Sequence, residues 1–262
     1  MSHFLDEIKN QVVTRVNQMT VAEDEFSGKR GSSLDLCTIV HQQNRPGIIA
    51  EIKFASPSRG VIYQGQFNHV QIAEQYLKNG ASMLSVLTEP FYFNGNIEYI
   101  RDIRSALPEA PILLKDFVLA PIQIKQAQVF GANAVLLIVA FLDPQLLREL
   151  YDYALSLGLT PLIEVHDEYE LEQALLLQPN MIGVNNRNLK TLKIDLETSR
   201  QLIKMIPNNV VAICESGIAT KSDILDMTER GFDGFLIGSH MMQTNHPGEA
   251  LAALLGGVVH AS

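Results

Sequence analysis

Residues 48–60 read IIAEIKFASPSRG. The stretch opens with consecutive apolar residues, as a strand covered on both faces does, and then carries Glu51 and Lys53 before any turn residue appears. Residues two apart in a strand point to the same side, so a carboxylate and an ammonium leave this one together. Burying that pair in a dry core would cost several kcal/mol, about as much as a single well-packed side chain gains. The sequence around it must supply a place where both charges are paired or wet.

Working outward, the same kind of run recurs seven more times. GIIAEIK (47–53) is followed by SMLSVLTE (82–89), PILLKD (111–116), NAVLLIV (133–139), TPLIEV (160–165), MIGVN (181–185), VVAICES (210–216) and GFLIGS (234–239). Most are continuous in hydrophobicity, which fits parallel strands covered on both faces. Between them lie stretches such as HVQIAEQYLKNGA, PIQIKQAQVFGAN, PQLLRELYDYALSLG and SDILDMTERGFDG, with apolar residues at helical spacing and a glycine near the end. Eight strand and helix units over 46–262 predict a single α/β domain, a closed (β/α)8 TIM barrel. A doubly wound open sheet would usually place a glycine-rich turn after its first strand, and none stands there.

Residues 1–45 follow another pattern. FLDEIKNQVVTRVNQM sets Phe4, Leu5, Ile8, Val12, Val16 and Met19 on one helical stripe, so this N-terminal helical extension is expected to pack on the barrel. Residues 24–33, DEFSGKRGSS, are polar and are read as mobile.

Composition narrows the partners. A chain of 262 residues, 47% hydrophobic, can bury a large core. Its net charge of -9 argues against nucleic-acid binding, which needs clustered Lys and Arg, but leaves a local pocket for a small anion. Cys37 and Cys214 are far apart and lack metal-ligand spacing, so they are read as free thiols of a reducing compartment. The start MSHFLDEIKNQVV carries acids where a signal peptide would be basic, and no apolar run nears the roughly 20 residues of a membrane span. The expectation is a soluble, cytoplasmic monomer open to a small anion, without membrane or nucleic-acid contacts.

In a barrel, chemistry belongs at the carboxyl ends of the strands. Glu51 and Lys53 end the first strand, Lys115 the third, Glu164 the fifth, Asn185 the sixth and Glu215 the seventh. One charged residue in such a position is usually the first exposed residue of a loop. Five of them and one amide, at the ends of five apolar strands, predict one mouth where lysines and glutamates can exchange protons. ESG (215–217) and IGS (237–239) end the last two strands, where small residues let backbone N–H groups approach a phosphate, or simply make tight turns. SPSRG adds the Ser56 hydroxyl and the Arg59 charge. Phe93 and Phe117 follow strands two and three, and either line a slot for a flat ring or pack in the core. His166 has no second histidine at ligand spacing and is read as structural or exposed. No cofactor or metal motif is present.

The stretches IIAEIKFASPSRG, LSVLTEPFYFNGN, LLKDF, IEVHDEYELE, IGVNNRNLKTLKIDLE, ESGI and FLIGSHMM, in this order, resemble the signatures of the indole-3-glycerol phosphate synthase family, the ring-closing barrel of tryptophan biosynthesis. The resemblance runs from about residue 46 to the end. It implies a carboxy-lyase that converts 1-(2-carboxyphenylamino)-1-deoxyribulose 5-phosphate into indole-3-glycerol phosphate, carbon dioxide and water, without a cofactor. By motif position it makes Lys115 a general acid and Lys53 a second catalytic lysine, the division of steps between them being open. It makes Glu164 the general base, with Glu51 and Glu215 supporting the lysines or a positive nitrogen. Asn185 and Arg187 would position substrate, Phe93 and Phe117 would hold its ring, and Ser56, Ser216, Gly217, Gly238 and Ser239 would bind phosphate. Two departures stand out: Phe91 occupies a position where most relatives carry lysine, and Leu114 one where arginine is frequent. The rival classes are a Schiff-base aldolase using Lys53 or Lys115, a phosphate-binding isomerase, which would want cysteine where Lys53 stands, and a barrel that only binds a metabolite.

Overall fold

The computed structural model describes residues 3–20, 35–42, 45–57 and 59–256, without the side chains of residues 3, 4, 41 and 42. The stretch 24–33 and the Phe4 side chain, both singled out above, lie outside the described residues.

Eight parallel strands, β1 (Arg45–Ile52), β2 (Met83–Leu87), β3 (Ile112–Lys115), β4 (Ala134–Ile138), β5 (Thr160–Val165), β6 (Met181–Asn185), β7 (Val211–Glu215) and β8 (Gly234–Ile237), form the ring of the sheet among the described residues, and the two-residue segment His41–Gln42 adds antiparallel to the start of β1. The ring closes because β1 pairs with both neighbours, Ile49 opposite Met83 on β2 and Gly47 opposite Gly234 on β8. Closure leaves no strand edge within the ring, and the expected barrel is what the chain forms. The apolar runs overshoot some strands at their carboxyl ends. Thr88, Glu89 and Asp116 continue the pattern by sequence but already belong to loops above the ring.

Local chemistry starts and stops the surrounding helices. Asn68 accepts from the Gln71 N–H at 3.0 Å while the Gln71 side chain accepts from the Asn68 N–H, a reciprocal cap on His69–Lys78. Asp143 and Asp167 cap Pro144–Ser156 and Glu168–Leu175 from one side only, accepting from the N–H groups of Leu146 and Glu170, and Gly131 ends Pro121–Phe130 at a φ of 92° that L side chains rarely adopt.

Two further pieces close the ends of the barrel. At the amino-terminal end, the turn Leu36–Val40 drives the fully buried Val40 against Gly47 and Gly234, the glycines paired across β1 and β8. A β-carbon on Gly47 would overlap the backbone carbonyl of Val40. At the carboxyl end lies the helix His3–Val16, with Ile8 and Val12 buried and Val16 half-buried, as is Met19 just past its end. Its Arg15 pairs with Asp116 at 2.7 Å, tying the helix to the loop that follows Lys115. Among the described residues no helix is long and apolar enough to cross a membrane.

The fit at Gly47 yields a test. Gly47→Ala is expected to lower unfolding stability by about 1–3 kcal/mol through overpacking against backbone that cannot retreat. Chemical denaturation measures it, and an unchanged midpoint would refute the account of the plug.

Candidate active site

Strand alternation points every second side chain into the barrel, and at the carboxyl end the inward positions of several strands carry charge. They surround a cavity of about 540 Å³. Glu51, Lys53, Lys115, Glu164, Asn185, Arg187, Glu215, Phe93, Phe117, Ser216, Gly217, Gly238 and Ser239 all line it. Ser56 does not: it faces an adjoining recess shared with Lys53, Phe93, Phe117, Arg187 and Ser239, roofed by Leu5 and Ile8 of the N-terminal helix.

The centre is Lys115. Its Nζ lies 2.9 Å from Glu164 Oε2 and 2.6 Å from Glu215 Oε2, with only 13% of the side chain exposed. Burial opposes the ammonium, but the carboxylates of Glu164, Glu215 and Glu51 outweigh it and raise the Lys115 pKa above the usual lysine range. Glu164 also accepts from Asn185 Nδ2 at 3.1 Å. Burial works against its charge too, yet Lys115, His166 and Asn185 hold it well below the usual carboxylate range. Glu215 goes the other way, pushed up to about 7 by burial and by the nearby Glu164, with Lys115 only partly compensating. Two carboxylates sharing one cation thus divide into an ionised group and one that titrates near neutrality. Beside them Lys53 forms its own ion pair with Glu51.

Two glycines make room for these acids. A β-carbon on Gly183 would overlap Oε1 of Glu215, and one on Gly238 would overlap Oε2 of Glu51. Gly238, read above as a phosphate approach, therefore also admits a buried carboxylate. Gly183 was not singled out by sequence reasoning, since a glycine within an apolar strand carries no sign of which side chain folds over it.

On one side of the charges lies an aromatic wall. Phe93 and Phe117 are half-buried with ring centroids 6.3 Å apart, and Phe117 rests on Phe141 at 4.9 Å. Phe93 is set by Glu89, whose carboxylate accepts from the N–H groups of Phe91, Tyr92 and Phe93 at 3.0, 2.7 and 3.2 Å. An acid followed by proline marks such a turn, so this role was legible in TEP although it was not drawn from the sequence. Phe91 itself is 60% exposed and faces an outer groove against the N-terminal helix. Leu114 is buried in the wall of the barrel.

Across the cavity, Ser216 and Gly217 take successive left-handed conformations, φ 64° and 89°. Asn186, also missed by the sequence reading, holds that turn. Its Nδ2 donates to the carbonyls of Glu215 and Ser216 at 3.0 and 3.1 Å. Arg187 donates from Nη1 to the Leu192 carbonyl at 3.1 Å and shares the cavity with Arg59. Burial and the like charge of Arg59 lower its pKa. His166 is not exposed: it lies between Glu164 and Glu170. Cys37 and Cys214 are both free thiols.

The Glu215 shift fixes a sign. Its folded-state pKa of about 7 exceeds the ordinary 4.5, so the fold favours the protonated carboxyl, and that stability is lost as pH rises toward and through 7. Glu215→Gln removes the titration while keeping an acceptor for Lys115. The melting temperature of the variant relative to the parent should therefore rise between pH 5 and pH 8, and a difference independent of pH would contradict the assignment.

Comparison with known proteins places the chain in a family. A family model described as indole-3-glycerol phosphate synthase matches residues 1–254. The chain is 44% identical over 209 residues to the indole-3-glycerol phosphate synthase of Campylobacter fetus subsp. fetus, covering 80% of each chain. It is also 44% identical over 206 residues to that of Salinibacter ruber, covering 79% of this chain and 76% of the relative. Among solved structures it resembles 3-hexulose-6-phosphate synthase from Salmonella typhimurium, with a TM-score of 0.63 at 13% identity, over 80% of this chain and 98% of that one. Thiamine phosphate pyrophosphorylase from Pyrococcus furiosus gives a TM-score of 0.61 at 15% identity, over 84% and 96%. At such identities the solved structures share the fold alone, whereas the sequence matches reach further: the chain belongs to the indole-3-glycerol phosphate synthase family.

Proposed function

We propose that the chain is an indole-3-glycerol phosphate synthase, closing the ring of 1-(2-carboxyphenylamino)-1-deoxyribulose 5-phosphate with loss of carbon dioxide and water. The observation that carries this reading is the Lys115 ammonium between two buried carboxylates at the wall of a cavity with an aromatic face opposite a backbone turn.

Each step has a matching group. The ring carbon bearing the carboxylate attacks the ketone, and the carbonyl electron pair moves to oxygen, which takes a proton from Lys115. Carbon dioxide then leaves, and the electrons of its bond restore the aromatic ring. In the last step the new hydroxyl leaves as water with a proton from a lysine, while Glu164 removes the proton from the carbon beside the ring nitrogen. Lys53 adjoins the same cavity and is the second candidate for that acid; Glu51 holds Lys53, and Glu215 holds Lys115. Carboxylates on this side also favour the positive charge that passes through the nitrogen. Phe93 and Phe117 would receive the aminobenzoate ring and Asn185 and Arg187 would position the chain between the two ends. Ser216, Gly217, Gly238 and Ser239 would bind the phosphate, with Ser56 reaching it from the adjoining recess.

The same electrostatics disfavour an aldolase that uses Lys115. A Schiff base needs a neutral amine, and Lys115 is held as the ammonium by its carboxylates.

Two measurements test the reading. Lys115→Ala should lower kcat by about 1000-fold or more with the circular dichroism spectrum intact, since Glu215 can take a proton once its cation is gone. The readout is the fluorescence of indole-3-glycerol phosphate formed from the synthetic substrate, and retained turnover would overturn the role of Lys115. Ser216→Val and Ser239→Ala should each weaken inhibition by inorganic phosphate about tenfold, one or two lost hydrogen bonds' worth. An unchanged inhibition constant would remove these residues from the phosphate site.

A further inference from the structure

His166 is a buried titratable group that the reaction above leaves unused. It directly follows β5, with 10% of its side chain exposed, and both ring nitrogens face carboxylates. Nε2 lies 3.2 Å from Glu164 Oε1, an ion pair whose angle falls short of an aligned hydrogen bond. Nδ1 lies 2.9 Å from Glu170 Oε2, on the helix Glu168–Leu175. The same Glu170 oxygen accepts from the His166 N–H at 2.8 Å, so one carboxylate grips both ring and backbone. Glu164 has two further partners: Oε2 meets Lys115, and Oε1, the oxygen that faces His166, also accepts from Asn185. A histidine serving packing alone has no need of a carboxylate on each nitrogen, one of them in the reaction cavity.

We propose that His166, oriented by Glu170, is a positioning residue for the ring closure: it holds Oε1 of Glu164 so that Oε2 stays on Lys115 and the carboxylate is kept as a base. The proposal rests on Glu164 being that base. Glu164 and Glu170 overcome the effect of burial and push the His166 pKa up to about 10, so the ring stays an imidazolium through the working range. Its charge is one of those that hold Glu164 ionised. The groups facing this pair are Lys115 from β3, Asn185 from β6 and Glu215 from β7 on the reaction side. On the far side, Asp167, Lys190, Lys193 and Asp195 line a second cavity of about 670 Å³ that also reaches His166 and Glu170. Loss of the imidazolium raises the Glu164 pKa, because the nearest positive charge on Oε1 is gone.

The test compares His166→Gln, Glu170→Gln and Glu164→Gln. In the first, kcat should fall by about 10- to 100-fold with KM within about twofold, the size of effect seen when the partner that orients a reacting group is removed. The acidic limb of kcat/KM against pH should move up by about one pH unit or more, while Glu170→Gln, which keeps the imidazolium but no longer orients it, should lower kcat by less. A lowered melting temperature with kcat and the acidic limb unchanged in both variants would overturn the proposal, leaving His166 a structural residue. Glu164→Gln separates the two levels. If it is inactive while the other two behave as the parent, only the positioning role falls. If it keeps full activity, the base assignment itself falls and the proposal with it.

Discussion

The site is organised by one cation shared between two acids. At the 2.6 and 2.9 Å separations of Lys115 from Glu215 and Glu164, each pair attracts by on the order of 5 kcal/mol at an effective dielectric near 20. Taking each ion out of water costs several kcal/mol, so three ions are not sustained by two contacts unless further donors help. Glu164 has a donor in Asn185 and a second cation in His166, 3.2 Å away, whereas Oε1 of Glu215 has no hydrogen-bond partner. That inequality explains why burial leaves Glu164 ionised and lets Glu215 titrate near neutrality. A cavity that must both give and take protons gains from such a division, since acid and base forms coexist at one pH.

The backbone is shaped around those charges. Strand alternation brings the acids inward, and the barrel interior is too narrow to hold them beside ordinary side chains. Gly183 and Gly238 are the space into which Glu215 and Glu51 fold. The paired glycines Gly47 and Gly234 do the same for the apolar Val40 at the opposite end. Glycine therefore serves packing at one end of the ring and charge at the other. The loops add the same economy: Glu89 spends its carboxylate on three N–H groups to aim Phe93, and Asn186 spends its amide on two carbonyls to hold the Ser216 turn.

The N-terminal helix joins this arrangement at two levels. Its apolar residues Leu5 and Ile8 roof the recess beside Lys53 and Phe117, and Arg15 grips Asp116, the residue after Lys115. Asp116 in turn accepts from Thr88 at 2.7 Å, so the loops after β2 and β3 are tied together beneath the helix. The periodicity of the helix announced an apolar stripe, but which loops that stripe would touch was not contained in it.

Much of the molecule was legible from the chain alone. Eight apolar runs at regular spacing predicted the closed barrel, because parallel strands covered on both faces leave a continuous hydrophobic signature. A charge at the end of each of several runs predicted a common mouth, and Lys53, Lys115, Glu164 and Glu215 do meet there. Boundaries were read less well, since Thr88, Glu89 and Asp116 extend the strand pattern without the pairing. His166 was read as structural or exposed because sequence spacing tests only for metal-ligand partners, and its actual partners, Glu164 and Glu170, look in one dimension like ordinary acids of a strand end and a helix. What the amino-acid order determined was the periodic burial of apolar side chains, hence the ring and the end at which its charges gather. Only the tertiary structure decided which acid faces which base, because that depends on closure of β8 against β1 and on contacts between residues as far apart as Lys115 and Glu215.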